Sequence, residues 1–307
     1  MKKIKAFAHA SSANLGPGFD ILGLALSVFQ DTVELEEDPF SSRISIFSNE
    51  LPLAVENNTA GLAIKKILER EKIRIGIKLK IAKGVPVGMG LGSSGASAAA
   101  AVTAMNEFLG LNLSMQEMIS FAMQGEAAAA GDPHADNVAP ALLGGLVALT
   151  STDPIDFMNL NFNQNISMKL ILPYVKIENK TKIARSVVPK EIPLKDHTLN
   201  TMNILGLLRS FESGDIEKLK KYMTDPIVES KRSIIYPFLN NIKNISMKYR
   251  DVAVALSGAG PSIIAFHDKN NEPETFLNEV ANELNMQGIG CKIVESHVGL
   301  GSRVTQE

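Results

Sequence analysis

Between residues 84 and 98 the chain reads GVPVGMGLGSSGASA, a density of glycine and serine suited to holding an anion. Glycine strips side-chain cover from successive backbone N–H groups, and a helix starting just beyond aims those donors and its positive end at one point. Ser93 and Ser94 add hydroxyls able to bond a phosphate or to ligate a hard divalent cation. Close packing alone is the other use of such a stretch, with Ala98 to Ala101 letting a helix approach its neighbour.

Three better-known glycine loops can be set against it. Gly90-Leu-Gly92-Ser-Ser-Gly95 matches the spacing of a dinucleotide loop, but the acidic residue expected about 20 positions on is missing, and Gly84 to Met89 inserts an extended loop containing Pro86. A Walker loop needs Gly-Lys-Ser/Thr at the helix start, and no lysine stands between Lys83 and Lys169. A protein kinase needs His-Arg-Asp and Asp-Phe-Gly elements, and neither occurs.

The surrounding pattern positions the loop. KIRIGIKLKIAK, residues 72 to 83, alternates isoleucine and leucine with mostly cations and predicts a half-buried strand. Ser97 to Phe108 is rich in helix formers and stops at Gly110, a C-cap. A second helix runs from Ser114, its N-cap with Glu117 as capping-box partner, to Ala130, where Gly131-Asp-Pro ends it. Upstream, Ala60 to Arg70 reads as an amphipathic helix, with strands at Thr32 to Glu36 and Arg43 to Phe47. Downstream, strands are expected at 168–173, 251–257 and 263–266, and helices at 199–213, 216–223 and 272–286. VAPALLGGLVAL at 138–149 reads as a buried turn and strand, and the polar segment 151–165 as the domain boundary, dividing the chain into 1–160 and 161–307.

Composition narrows the classes. The 307 residues are 45% hydrophobic and 21% charged, which suits a globular chain of two domains. A net charge of −2 argues against a nucleic-acid partner. The basic start MKKIKAFAHASSANLG lacks the apolar stretch of a secretory signal, and no apolar run is long enough for a membrane span, so a cytoplasmic protein without a membrane partner is expected. Cys291 is the single cysteine, and the five histidines are scattered, which leaves no disulfide and no zinc cluster.

Three motifs together carry a family resemblance. Pro86-Val-Gly-Met-Gly90-Leu-Gly92-Ser-Ser94 resembles the phosphate loop of the GHMP kinases, the superfamily of galacto-, homoserine, mevalonate and phosphomevalonate kinases. Ala10-Ser-Ser-Ala-Asn14-Leu-Gly-Pro-Gly-Phe-Asp20 and Leu256-Ser-Gly258-Ala-Gly260-Pro-Ser262 match its other two motifs in the right order. The first of these is similar to the homoserine kinase form, as are Gly125-Glu126, Gly131-Asp-Pro-His134-Ala-Asp136-Asn137, Thr181-Lys-Ile-Ala-Arg185 and Glu229-Ser-Lys-Arg232. His9 and Gly95 depart from it, where relatives commonly carry proline and alanine.

The resemblance implies an α+β, two-domain fold: an N-terminal domain like the second domain of ribosomal protein S5 and a C-terminal ferredoxin-like domain. It implies ATP and Mg²⁺ as cofactors, L-homoserine as acceptor, and a homodimer. The nucleotide set is then Pro86, Val87, Gly88, Met89, Gly90, Leu91, Gly92, Ser93, Ser94, Gly95 and Ala96, with Lys83, Asn58, Gly258 and Gly260. Ser94 and Glu126 would hold the metal. Asn14, Asp20, His134, Asp136, Asn137, Thr181, Arg185 and Arg232 would bind the acceptor, with Asn137, Arg185 and Glu126 as the catalytic group and no dedicated base.

Chemistry favours the same acceptor type, because planar arginine suits a carboxylate and Asp20 can neutralise an ammonium. Taken singly, each arginine reads equally as an ion-paired surface residue, Asn14 and Asp20 as turn formers, and Lys83 as one more solvated lysine. Another small-molecule kinase of the superfamily, of shikimate or mevalonate type, or a nucleotide sensor without turnover are the alternatives.

Overall fold

The computed structural model describes residues 2–130, 134–177 and 180–305. Two sheets organise them. The first contains β1 (Lys3–Asn14), β2 (Gly18–Asp38), β3 (Ile44–Phe47), β4 (Gly76–Ala82), β5 (Leu146–Thr152), β6 (Ile155–Leu160) and, from the chain's far end, β11 (Arg303–Val304). Its order is β11-β1-β2-β4-β3, with β5 also paired to β2 and β6 to β5. The second is antiparallel and contains β7 (Ile166–Pro173), β8 (Val252–Leu256), β9 (Ile263–Asp268) and β10 (Cys291–Ser296), in the order β10-β7-β9-β8. With helices between β7 and β8 and between β9 and β10, that order is the ferredoxin-like arrangement.

The helices α1 (Thr59–Glu71), α2 (Ser93–Leu109), α3 (Met115–Ala130) and α4 (Val138–Leu143) belong with the first sheet. Alanines 98 to 101 of α2 are fully buried and let it lie close against β1 and β2, where Ala6, Ala8, Val33 and Leu35 meet Ile77 and Leu79 in one core. Ser114 and Glu117 cap α3 reciprocally, each side chain reaching the other's backbone N–H. The Gly131-Asp-Pro stop lies outside the described residues.

The remaining helices are α5 (Lys180–Ser186), α6 (Leu194–Ser213), α7 (Ile216–Tyr222), α8 (Glu229–Arg232), α9 (Phe238–Ser246) and α10 (Glu274–Met286). A second core joins the halves: Leu22, Leu24 and Leu26 of β2 and Leu91 of the glycine loop pack with Met168, Leu170, Phe211 and Phe266. A third, holding Ile242, Phe276, Val280 and Leu284, covers β8 and β9 from the other side.

Several boundaries differ from expectation. The strand predicted over 72–83 begins only at Gly76, since Lys72 takes a left-handed φ of 55° to close α1. Residues 138–143 form a helix before the expected strand. Within the polar segment 151–165 the chain forms a hairpin, with β6 returning along β5 from Thr152↔Ile155 to Leu146↔Leu160, before the second sheet begins at β7. Strand β1 escapes the sequence pattern because its inward residues are largely small, Ala6, Ala8 and Ala10 among them, and alanine is depleted in strands.

Candidate active site

The glycine loop lies between the end of β4 and the start of α2, which begins at Ser93, four residues earlier than expected. Gly88, Gly90 and Gly92 all have positive φ, at 76°, 77° and 63°. At two of them glycine is obligatory twice over. A Cβ on Gly90 would stand 2.4 Å from the Ser257 carbonyl oxygen and 2.6 Å from that of Gly260, and one on Gly92 would stand 2.1 Å from Ser11 Oγ and 2.8 Å from Asn137 Oδ1. The three sequence motifs therefore converge on this loop. Ser11 N–H donates to Leu91 O, Ser262 N–H to Met89 O, Gly258 N–H to Ala13 O, and Ser257 Oγ to Gly90 O.

Behind the loop stands a buried network that the sequence reading missed. Asp31, fully buried, accepts Gly84 and Val85 N–H on one oxygen at 3.0 Å each, and Ser97 Oγ and Lys83 Nζ on the other. Lys83 also donates to Ser93 O and Ser97 Oγ. Lys83 also lines the cleft in front of the loop. Its donors are held by the loop's own framework, and burial lowers its pKa despite Asp31.

In front of the loop is a cleft of about 500 Å³ lined by Val87, Gly88, Gly90 to Ser94, Asn58, Lys83, Glu126, Lys180, Gly258 and Ala259 among others. Pro86, Met89, Gly95, Ala96 and Gly260 are not in its lining. Ala96 is fully buried, Met89 packs on the second core, and Gly95 takes no positive φ; an alanine Cβ there would meet Asn137 at an ordinary 3.4 Å. Asn58 lines the cleft and also caps α1, accepting Gly61 N–H at 3.0 Å and donating to Pro52 O. Ser93 spends its hydroxyl on Val85 O.

Ser94 and Glu126 face each other across the cleft wall, Oγ donating to Oε2 at 3.0 Å. Glu126 is 6% exposed, and its Oε1 is buried with no hydrogen-bond partner. Burial pushes its carboxyl up to about 7, with Asp136 adding to the push and Ser94 and Lys83 opposing it. A hydroxyl beside an orphaned carboxylate oxygen fits a hard divalent cation, which takes few protein ligands and fills the rest with water and phosphate. No cluster of three or more acidic, histidine or cysteine ligands occurs among the described residues.

Next to the cleft, and sharing His134, Asn137, Thr181, Gly258 and Ala259 with it, is a smaller polar pocket of about 60 Å³. Asn14, Asp20, His134, Asp136, Asn137, Thr181, Arg185 and Arg232 all line it. Asn14 is held at φ 72° by two bonds, donating to Gly258 O and accepting Asp20 N–H. Arg185 Nη1 pairs with Asp20 Oδ2 at 2.7 Å, and Nη2 meets the His134 ring. Arg232 donates to Gly258 O at 2.8 Å, leaving its buried Nε unpartnered. Both guanidiniums lie over the ring of Phe19, also unforeseen, with Arg185 5.0 Å and Arg232 5.2 Å from its centroid. Burial, with Asp20 second, raises the Asp136 carboxyl to about 7 against the pull of both arginines. Asn137 stands at the join of the two pockets, where its Oδ1 accepts Ser11 Oγ at 3.1 Å.

A larger groove of about 760 Å³ near α1 and β3 lacks these features. It is lined by Arg43, Lys65, Glu69 and Lys72 among others, and Lys65 is already paired with Glu56. Convergent buried polar groups locate the site better than volume does. No helix among the described residues is long and apolar enough to cross a membrane.

Comparison with known proteins agrees with this geometry. Residues 58–145 match the family model "GHMP kinases N terminal domain" and residues 207–285 match "GHMP kinases C terminal". The chain is 42% identical over 302 residues to a homoserine kinase of Sulfurisphaera tokodaii, covering 98% of each chain. It is 40% identical over 300 residues to that of Saccharolobus solfataricus, covering 97% of this chain and 96% of the relative. A crystal structure of homoserine kinase from Cytophaga hutchinsonii superposes with a TM-score of 0.89 at 34% identity, over 99% of this chain and 98% of that one. The phosphate loop, the two flanking motifs and these relatives place the chain in the GHMP kinase family, on its homoserine kinase branch.

Proposed function

We propose that this chain transfers the γ-phosphoryl group of ATP to the side-chain hydroxyl of L-homoserine, giving O-phospho-L-homoserine. The observation that carries the reading is the shared wall between the phosphate-loop cleft and a pocket lined by two arginines and two aspartates. An amino acid is a zwitterion, and that pocket offers both charges: arginine for the carboxylate, Asp20 for the ammonium. Mevalonate-type and shikimate-type acceptors carry a carboxylate but no ammonium, and would leave Asp20 and Asp136 without a cation of the substrate.

Phosphoryl transfer depends on positioning and charge neutralisation more than on a strong base, because the transition state is loose. The loop N–H groups from Gly90 to Ser94 hold the polyphosphate, and Asn137 orients the acceptor hydroxyl toward it from the join of the pockets. Ser94 and Glu126 would hold Mg²⁺, which would supply neutralisation of phosphate charge. Arg185 gathers the substrate carboxylate, while Asp136 lines the site without acting as a dedicated base. The same reading includes domains at 1–160 and 161–307, a cytoplasmic homodimer, and no nucleic-acid or membrane partner. Phosphorus NMR of the product formed from ATP and homoserine tests it: a phosphomonoester on the side-chain oxygen is expected, and release of inorganic phosphate alone contradicts it.

A further inference from the structure

Lys180, the first residue of α5, is 9% exposed, yet no carboxylate lies within ion-pair distance of it among the described residues. Its Nζ donates to two carbonyl oxygens, that of Gly88 in the glycine loop at 2.9 Å and that of Gly260 in the C-terminal motif. Two neutral acceptors do not neutralise a buried ammonium, and a charge left in that state is costly. Burial holds Lys180 down at about 8, and the charge that adds to this effect is another cation, Arg232. The side chain also lines the cleft that contains Gly90, Gly92, Ser94 and Glu126. Of the two lysines that line the cleft, Lys83 is paired with Asp31 behind the loop, and Lys180 alone lacks a countercharge among the described residues.

We propose that Lys180 is a phosphate-binding residue of the nucleotide site, its ammonium supplied with a countercharge by the polyphosphate of ATP. The inference rests on the nucleotide reading above and deepens it. A lysine suits the task as a compact point charge with three donors, two of which are fixed here by carbonyls from the two halves of the chain. The third is left for the ligand, so the same contact that binds phosphate braces the loop against the C-terminal motif. The residue just before Thr181 in the string TKIAR was the available sequence signal, but one lysine in a polar loop carries no pattern of its own.

The test is calorimetric binding of MgATP and of adenosine to the complete chain, for the wild type, Lys180→Gln, Lys180→Met and Lys180→Arg. Glutamine keeps an N–H donor for the carbonyls without the charge, and so separates a brace from a phosphate contact. The expected result is a loss of MgATP affinity of about 10- to 100-fold in Lys180→Gln and Lys180→Met, the range of a charged hydrogen bond. Adenosine affinity should stay within about threefold, and Lys180→Arg should recover most of the loss. Equal losses for MgATP and adenosine, or wild-type MgATP affinity in Lys180→Gln, would overturn the proposal. Because the readout is nucleotide binding, failure of homoserine as acceptor would count against the acceptor alone and leave the role of Lys180 untouched.

Discussion

Arg185 and Asp20 are bonded to each other, Nη1 to Oδ2 at 2.7 Å, although the sequence assigns them to opposite ends of a zwitterion. Their side chains are 32% and 43% exposed, and an ion pair that open to solvent contributes little stability. In the proposed function an incoming amino acid replaces this one salt bridge by two, its carboxylate on Arg185 and its ammonium on Asp20. Asp20→Asn and Arg185→Lys should each raise KM for homoserine by about 10- to 100-fold while moving KM for ATP by less than about threefold. Steady-state kinetics with each substrate varied in turn would check this; equal effects on both would place the pair outside the acceptor site.

Glu126 offers a different separation. Its Oε1 has no partner and its charge is suppressed by burial, so the neutral isostere Glu126→Gln should fold at least as stably as the parent. Turnover should nevertheless fall by about 100-fold or more, with a weaker response to added Mg²⁺. A thermal melt beside a metal titration of the rate is the measurement. A variant that unfolds would instead assign Glu126 a structural role.

Asp136 makes stability depend on pH in a direction opposite to an ordinary paired carboxylate. Its pKa is about 7 in the folded chain against an ordinary 3.8, so the folded state keeps a proton that the unfolded state has released between those values. That contribution is fully present below the lower value and is lost as pH rises toward 7. Asp136→Asn removes the titration. Across pH 4 to 7.5 the stability of the parent should fall relative to the variant, on the order of 1–3 kcal/mol in all. Parallel denaturant midpoints at every pH would contradict the assignment.

Two nearby glycines, Gly92 at the end of the loop and Gly95 in the first turn of α2, should behave in opposite ways. Gly92→Ala forces a left-handed residue and a clash with Ser11 Oγ and Asn137 Oδ1, and should cost about 1–3 kcal/mol as well as nucleotide affinity. Gly95→Ala has room in a helix and should be neutral or stabilising by up to about 1 kcal/mol. Melting temperatures with and without ATP distinguish the two.

Asp31 supports the loop without facing the cleft's ligand. Removing one member of a buried pair leaves the other uncompensated, so Asp31→Leu and Lys83→Met should each cost about 3–5 kcal/mol, and the double variant less than their sum. A double-mutant cycle by chemical denaturation gives the coupling directly.

The phosphate loop could be read from sequence because its cause is local: glycines where side chains would collide, followed at once by a helix. The pocket could be read only through the family motifs, since His134, Arg185 and Arg232 are far apart in the chain and each looks like an ordinary surface residue alone. The three-dimensional exchange of partners was not legible. In the fold Lys83 is bonded to Asp31, 52 positions earlier, and Asn58 caps α1, two contacts that no sequence pattern announces. Alanine-rich β1 stayed hidden because its alternation is written in small residues that strands seldom favour.

Phosphorylation of a zwitterionic hydroxy amino acid by ATP at this site can be measured as acceptor-dependent ADP release, with L-homoserine, mevalonate, shikimate and no acceptor compared side by side. Rapid release with homoserine and near-background rates with the others are expected. Release supported by mevalonate or shikimate but not by homoserine would contradict the assignment of the acceptor pocket.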